Sequence, residues 1–179
     1  MPNSRLYSLR IKLIAAFLTV ALIPLLLLAF LNIQSTQRDL TNSANQSLLA
    51  AASQTATSID TFINTNLNAV RVEAILPGLS QYLQLSQVER RSRNPEEVIA
   101  STTLLSLSRK DAVNIISYAL LDLRGKNILD TYTPGIGSDE SQRDYFIQPL
   151  KTGYPYASAM RLSNRVPGQV TLYFSSPVR

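Results

Sequence analysis

The longest uncharged stretch of the sequence constrains this chain most. From Leu13 to Gln37 there is no ionisable side chain. Its apolar part, Leu13–Ile33, has the length of a membrane-spanning helix, which needs about 20 mostly apolar residues. It is too long for the core of a secretory signal, which has about 7–15 apolar residues before a small-residue cleavage site. The sequence therefore predicts an uncleaved membrane anchor in preference to a cleaved signal.

Pro24 falls in the middle of this predicted span. A membrane helix tolerates proline because neighbouring groups satisfy the freed carbonyl, so we expect only a mild kink. Basic residues are concentrated before the span, and only Arg38 follows it closely. By the positive-inside rule, residues 1–12 are cytoplasmic and everything after the span lies outside the cytoplasm. The basic residues before the span are Arg5, Arg10 and Lys12.

The charge of the remaining chain is nearly balanced. The net charge is +5, from 17 basic and 12 acidic residues, and removing the 3 basic residues before the span leaves 14 against 12, or +2. A nucleic-acid-binding protein would need a basic face with a recognition motif. The one basic cluster, Arg90, Arg91 and Arg93, is typical of a solvated loop, with an anion site as the alternative. We therefore expect no nucleic-acid partner.

Cysteine and histidine are both absent from the sequence. Their absence excludes disulfides, thiolate nucleophiles, zinc–thiolate sites and every histidine-based triad. Serine, aspartate and glutamate are present, but no spacing among them indicates a catalytic pair. We expect this chain to be no enzyme and to need no cofactor or metal.

The segment Ser35–Leu76 contains neither glycine nor proline. Apolar and small residues recur in it at steps of three and four, which is helical periodicity. It therefore predicts a stalk helix that continues from the span and stops at the breaker Pro77-Gly78. The stripe either packs only within its own domain or also pairs with a second copy, which would make a homodimer. Its members are Leu40, Ala44, Leu48, Ala51, Thr55, Ile59, Phe62 and Val70.

The rest of the chain changes from helical to strand patterns at Ala112. Two short helices, Leu79–Leu85 and Pro95–Leu107, come first, the second with proline and acids in its first turn. A predicted hairpin follows, made of a strand Asn114–Leu121, a turn Asp122–Lys126 and a strand Asn127–Thr133. Next comes a short helix Ser141–Leu150, with Ser141 as its N-cap, Pro149 at its end and Gly153 closing the unit. The last predicted elements are an antiparallel pair, Ala157–Leu162 and Gln169–Ser175, around Asn164–Gly168. This order is typical of an α+β fold. The chain thus divides into a basic N-terminus 1–12, a span 13–33, a stalk 34–76 and a lobe 77–179.

A series of short motifs runs through this lobe. They are Tyr118–Asp122 followed by Arg124-Gly125-Lys126, Ile136–Asp139, Gln142–Phe146, Thr152–Ser158 and Phe174–Val178. Taken in order, they resemble the extracytoplasmic Cache sensor domains of bacterial receptors, in particular the double-Cache type, over about Ser35–Arg179. The resemblance implies a PAS-like antiparallel sheet with a small-molecule pocket.

The resemblance also implies a set of ligand-binding residues. Arg143 matches the family's arginine that grips a ligand carboxylate, a task that suits a planar guanidinium with several donors. Tyr145 and Tyr156 match aromatic positions of the pocket, and Tyr118 is a further candidate for its lining. Ser158 stands where the amino-acid-sensing branch has an acid for the ligand amine. A carboxylate or other small anion is therefore favoured over an α-amino acid.

Ordinary structural roles are the alternatives for these residues. Arg143 could pair at the surface with a neighbouring acid, an interaction of about 0–1 kcal/mol. The tyrosines could be half-buried core aromatics, and Asp122 and Gly125 could serve the turn. The acids available to Arg143 are Asp139, Glu140 and Asp144.

The resemblance has one large departure, because the family's central fifth strand and membrane-proximal second lobe do not follow in this sequence. We expect a fragment of a longer receptor or a truncated gene product. The implied function is a single-pass sensor of a small molecule in a bacterial inner membrane, with the bulk of the chain outside the cytoplasm. A parent protein would add a kinase, cyclase or chemotaxis module. The alternative is an anchored structural or assembly protein that binds a protein partner through its stalk, without a ligand.

Overall fold

A computed structural model describes residues 4–91, 94–163 and 166–179 of the chain. The described helices are α1 (Ser4–Glu73), α2 (Pro77–Gln84), α3 (Pro95–Ser108) and α4 (Asp144–Thr152), and the strands are β1 (Ala119–Leu121), β2 (Asn127–Asp130), β3 (Tyr156–Ala157), β4 (Arg161–Leu162), β5 (Val170–Thr171) and β6 (Phe174–Ser175). Short 3₁₀ turns lie at Glu89–Arg91 and Thr133–Gly135. The chain has two compact units, Met1–Ser58 and Ile59–Arg179, with the boundary inside α1. Arg93 and Asn164, named above, lie outside the described residues.

The first unit consists of the N-terminal part of α1. Pro24 lies inside this helix, and the helix continues past it. By length and composition, α1 from Leu9 onward could cross a membrane. Every described side chain from Leu9 to Ser58 is exposed. Within it, the segment Leu13–Ile33 is apolar all round as well as exposed, which is consistent with a membrane anchor.

The junction between α1 and α2 differs slightly from the prediction. α1 ends at Glu73 rather than near Leu76, because Leu76 precedes a proline and is held in an extended conformation (φ −65°, ψ 127°). Pro77 then occupies the first turn of α2, where its missing N–H has no helical partner to lose. The helix predicted to begin at Leu79 therefore begins at Pro77.

The hydrophobic core lies between α2, α3 and the pair β1–β2. Its buried members are Leu79, Tyr82, Ala100, Leu104, Leu120 and Leu129. α2 and α3 approach each other closely at Gly78, where a Cβ atom would lie 2.8 Å from Ile99 Cγ2. α3 begins as predicted, and the Asn94 side chain caps it by accepting a hydrogen bond from Glu97 N at 2.8 Å.

Arg90, the first member of the basic cluster, binds the end of α2. Its Nε donates to the Leu85 carbonyl at 2.9 Å and its Nη2 to the Leu83 carbonyl at 3.3 Å. Basic side chains at a helix C-terminus satisfy carbonyls that lack helical partners. The side chain of Arg90 thus has a structural role in its own loop.

The predicted hairpin of β1 and β2 is confirmed as an antiparallel pair. Asp122 forms its turn, because Oδ1 accepts hydrogen bonds from Arg124 N at 2.9 Å and Lys126 N at 3.0 Å. Gly125 adopts φ +81°, which favours glycine. Asp122 and Gly125 therefore have the turn role, as the structural alternative supposed.

The first strand is shorter than the predicted Asn114–Leu121. Asp111 accepts hydrogen bonds from Asn114 N at 3.2 Å and from Asn114 Nδ2 at 2.8 Å. These bonds, together with one from Ile115 N to the Asp111 carbonyl at 2.9 Å, keep the chain in a turn after α3. The strand pairing therefore begins only at Ala119.

The second predicted strand pair exists but is divided in two. β3 pairs with β6, and β4 pairs with β5, both antiparallel. Between them, Ser158–Met160 lies opposite Leu172–Tyr173, so one strand has an extra residue and forms a bulge. The α+β prediction is confirmed, and the described strands form three separate two-stranded sheets.

Two predictions for the last helix are wrong. Ser141 is not its N-cap, because its N–H donates to Asp139 Oδ1 at 2.9 Å in a turn, and α4 starts at Asp144. Pro149 does not end the helix, since an internal proline removes one hydrogen bond without preventing a further turn here. Gly153 does end it, at φ +74°, with its N–H donating to the Pro149 carbonyl.

Candidate ligand-binding site

Three of the predicted site residues, Arg143, Tyr145 and Tyr156, lie together at the start of α4. They share two carboxylates that the loop and helix supply, Glu140 and Asp144. We call the whole group the α4 cluster. Its members are Glu140, Arg143, Asp144, Tyr145, Tyr156, Arg161 and Tyr173.

Glu140 is the centre of one half of the α4 cluster. Its Oε2 accepts a hydrogen bond from Tyr145 Oη at 2.6 Å, and its Oε1 accepts one from Ser138 Oγ at 2.7 Å. Arg143 Nε lies 3.5 Å from Oε2. Glu140 N also donates to the Gly125 carbonyl at 2.8 Å, so the β1–β2 turn positions this acid. The structural alternative for Arg143, a pair with a neighbouring acid, is therefore present in the structure.

Asp144 is the centre of the other half. Arg161 Nη2 donates to both of its carboxylate oxygens, at 2.7 and 2.8 Å. Tyr156 Oη lies 3.5 Å from Asp144 Oδ2, a long hydrogen bond. The β4 strand thus reaches back over the first turn of α4, and the two halves together contain two acids and two guanidinium groups whose charges balance.

Aromatic rings connect α4 to the end of the chain. Tyr145 and Tyr173 stack with ring centroids 4.5 Å apart and an angle of 20° between the planes. The guanidinium carbon of Arg161 lies 6.0 and 5.9 Å from these two ring centroids. Burial, and then the hydrogen bond to Glu140, raise the pKa of Tyr145 above its ordinary value of 10.0. The ring is therefore a neutral hydrogen-bond donor at physiological pH.

Ser158 lies beside the cluster and already has partners. Its Oγ accepts a hydrogen bond from Tyr173 N at 3.0 Å and donates one to the Ala159 carbonyl at 2.9 Å. These bonds replace ladder bonds that the bulge interrupts. A hydroxyl has one proton, so Ser158 has no second proton to donate to a ligand.

Tyr118 lies apart from the α4 cluster, at the end of α1. Its Oη donates to Glu73 Oε2 at 2.9 Å, while Lys110 Nζ binds Glu73 Oε1 at 2.8 Å. The Glu73 side chain is 8% exposed. Burial, and then this hydrogen bond, raise the pKa of Tyr118. The three residues join α1 to the segment after α3 and to the start of β1, and we call them the Glu73 cluster.

The sequence did not predict that Arg161 belongs to the α4 cluster. The sequence indicates Glu140 and Asp144 only as surface partners of Arg143. No local pattern identifies Arg161, because its contact with Asp144 depends on how the β4–β5 hairpin returns to α4. Within residues 4–91, 94–163 and 166–179, no three metal-ligating side chains come together.

Comparisons with known proteins gave no match to this chain, whether with family models, curated proteins or solved structures. Its function is therefore argued from its residues and their geometry.

Proposed function

We propose that the chain is a membrane-anchored sensing module that binds a small carboxylate or other small anion at the α4 cluster. The observation that carries this proposal is that Arg143 and Tyr145 share Glu140 while Tyr156, from β3, reaches Asp144, so that the three lie around the first turn of α4. The exposed guanidinium of Arg143, beside the Tyr145 hydroxyl that shares its carboxylate partner, is suited to holding a planar carboxylate.

Arg143 is the residue best placed to meet a ligand. Its side chain is 43% exposed, and its ion pair with Glu140, through Nε at 3.5 Å, is longer than a strong charged hydrogen bond of about 2.7–2.9 Å. In the described part of the chain, the two terminal nitrogens of its guanidinium have no hydrogen-bond partner. They can therefore donate a pair of hydrogen bonds to a carboxylate from solvent, the geometry that guanidinium groups favour.

A path of side chains leads from this site to α1. Tyr145 stacks on Tyr173, and the next residue, Phe174, meets Phe62 of α1 edge to face at 6.0 Å between ring centroids. A ligand that favours one arrangement of Tyr145 would shift the population of arrangements along this path and so move α1. The apolar part of α1, as a single-pass inner-membrane span with its N-terminus in the cytoplasm, would carry the movement across the bilayer.

The direct test replaces Arg143 in the full chain, held in detergent micelles. Arg143→Gln, at the residue that precedes α4, is compared with Lys151→Gln, which removes an exposed charge from α4 itself. Thermal melting is recorded with small mono- and dicarboxylates and with their uncharged amides, since binding to the folded state raises the melting temperature. We expect carboxylate-specific stabilisation that Arg143→Gln abolishes and Lys151→Gln keeps. Equal responses of the two variants would reject the site.

A second candidate function is binding of a protein partner along the stalk. Large apolar side chains on α1 are exposed, among them Leu40 at 65%, Leu48 at 68% and Ile59 at 48%. A second copy anchored in the same membrane would present the same stripe in parallel, which gives the homodimer. Site-specific crosslinking from position 48 tests this candidate, and capture of a different protein together with no carboxylate response would favour the assembly role.

A further inference from the structure

We propose that Glu140 is an internal competitor that determines how tightly the α4 cluster binds an external carboxylate. The inference rests on the proposed function, because it concerns the same guanidinium. Glu140 presents to Arg143 the chemical group that an external carboxylate would present. An external anion must therefore take Arg143 from Glu140 or bind against its negative charge.

The contacts that hold Glu140 in place are different from the contact with Arg143, for which an external anion competes. Tyr145 and Ser138 hold the carboxylate with short hydrogen bonds of 2.6 and 2.7 Å. Arg143 contacts it only at 3.5 Å and only through Nε. Two neutral donors thus help to hold Glu140, and its pair with Arg143 is the loosest of these three contacts. That pair can be exchanged without undoing the others.

The position of Glu140 also makes the competition effective. Its side chain is 16% exposed, so its charge is screened less by solvent than that of a surface acid. Its backbone N–H donates to the Gly125 carbonyl, which keeps the acid from moving away with the loop. The second acid, Asp144, is engaged by Arg161 at 2.7 Å. Glu140 is therefore the acid that an anion at Arg143 meets first.

The experiment measures acetate and acetamide affinity of the full chain in detergent micelles, through the rise in melting temperature with concentration. Glu140→Gln removes the charge and keeps an amide oxygen for Tyr145 and an amide N–H for Ser138. We expect acetate to bind about five- to tenfold tighter, the effect of one partly screened charge at this range. Acetamide affinity should not change. Asp139→Asn, an adjacent acid that contacts Ser141 rather than Arg143, is the matched control for net charge and should change neither.

The outcomes distinguish the competitor from the site itself. If Arg143→Gln abolishes acetate binding but Glu140→Gln leaves it unchanged, the competitor is rejected and the site stands. If Arg143→Gln has no effect in either background, the site is wrong and the competitor is rejected with it. Absence of acetate binding by Glu140→Gln overturns the inference as well. The inference is supported if Glu140→Gln tightens acetate binding and the double variant Glu140→Gln/Arg143→Gln loses that gain in affinity.

Discussion

Replacing Gly125 with alanine tests the contact on which the position of Glu140 depends. The residue has φ +81°, and a side chain in this region costs about 1–2 kcal/mol. A Cβ atom there would also lie 2.5 Å from Ser141 Cα and 2.7 Å from Ser141 N, so backbone must move. Overpacking of this kind adds about 1–3 kcal/mol. We expect Gly125→Ala to lower the free energy of unfolding by about 2–5 kcal/mol in all.

Gly137 supplies a matched control for this prediction. Its φ is +92°, but no described atom lies within 4 Å of the place where its Cβ would be. Gly137→Ala therefore meets only the conformational cost of about 1–2 kcal/mol. The difference between the two variants isolates the close approach of Ser141 to Gly125.

Urea unfolding of the full chain in detergent micelles measures both variants. The chain contains 8 tyrosines and no tryptophan, so near-ultraviolet circular dichroism of the tyrosines follows the loss of packing. With a typical slope of about 2 kcal/mol per M, the midpoint should fall by about 1–2.5 M for Gly125→Ala and by less than about 1 M for Gly137→Ala. Equal midpoints for the two variants would refute the reasoning.

Three further predictions concern the two clusters. Glu73→Ala should destabilise the lobe by about 1–3 kcal/mol because the Tyr118 hydroxyl loses its acceptor. Lys110→Ala removes only the exposed member of the ion pair and should cost about 0–1 kcal/mol. Urea midpoints compare the two variants, and equal losses would contradict this. Tyr145→Phe keeps the stacked ring but loses the hydrogen bond to Glu140, so we expect the free energy of unfolding to fall by about 1 kcal/mol in the same assay. An unchanged midpoint would mean that this bond does not contribute. Burial raises the pKa of Tyr118 and of Tyr145 in the folded state, so the stability they contribute is complete below the unfolded value of 10.0 and falls as pH rises above it. Unfolding midpoints between about pH 9 and 11 should show this fall, and a Tyr118→Phe/Tyr145→Phe variant should reduce it.

Much of the fold follows from local patterns. The apolar segment around Pro24, the start of α3 at Pro95 and the turn at Asp122 each depend on residues within a few positions of one another, which sequence reasoning reads directly. The prediction that the helix begins at Ser141 is wrong because the side chain of Asp139, two positions away, accepts a hydrogen bond from Ser141 N and stabilises a turn instead. Where two local solutions compete, tertiary contacts such as that with Gly125 decide between them.

The site was predictable only in part, because its contacts join distant segments. The resemblance placed Arg143, Tyr145 and Tyr156 in one site, and the structure brings them together around the start of α4. Their role as ligand contacts stays a prediction. Tyr118, grouped with them from sequence, instead binds Glu73, since β1 begins beside the end of α1. The contribution of Arg161 could not be predicted, because it requires the path by which the β4–β5 hairpin returns to α4.

The bulge at Ser158–Met160 determines which deletions this segment of the chain can tolerate. Tyr156 and Arg161 both reach Asp144 although they are an odd number of positions apart, and in a regular strand such side chains point to opposite faces. The extra residue restores their common side. Deleting one residue there would place Tyr156 and Arg161 four positions apart, opposite the four-position step from Thr171 to Ser175, so a regular strand would keep both side chains on one face. A one-residue deletion at the bulge should therefore preserve the cluster, whereas a two-residue deletion should bring exposed Leu162 towards Asp144 and send the guanidinium into solvent.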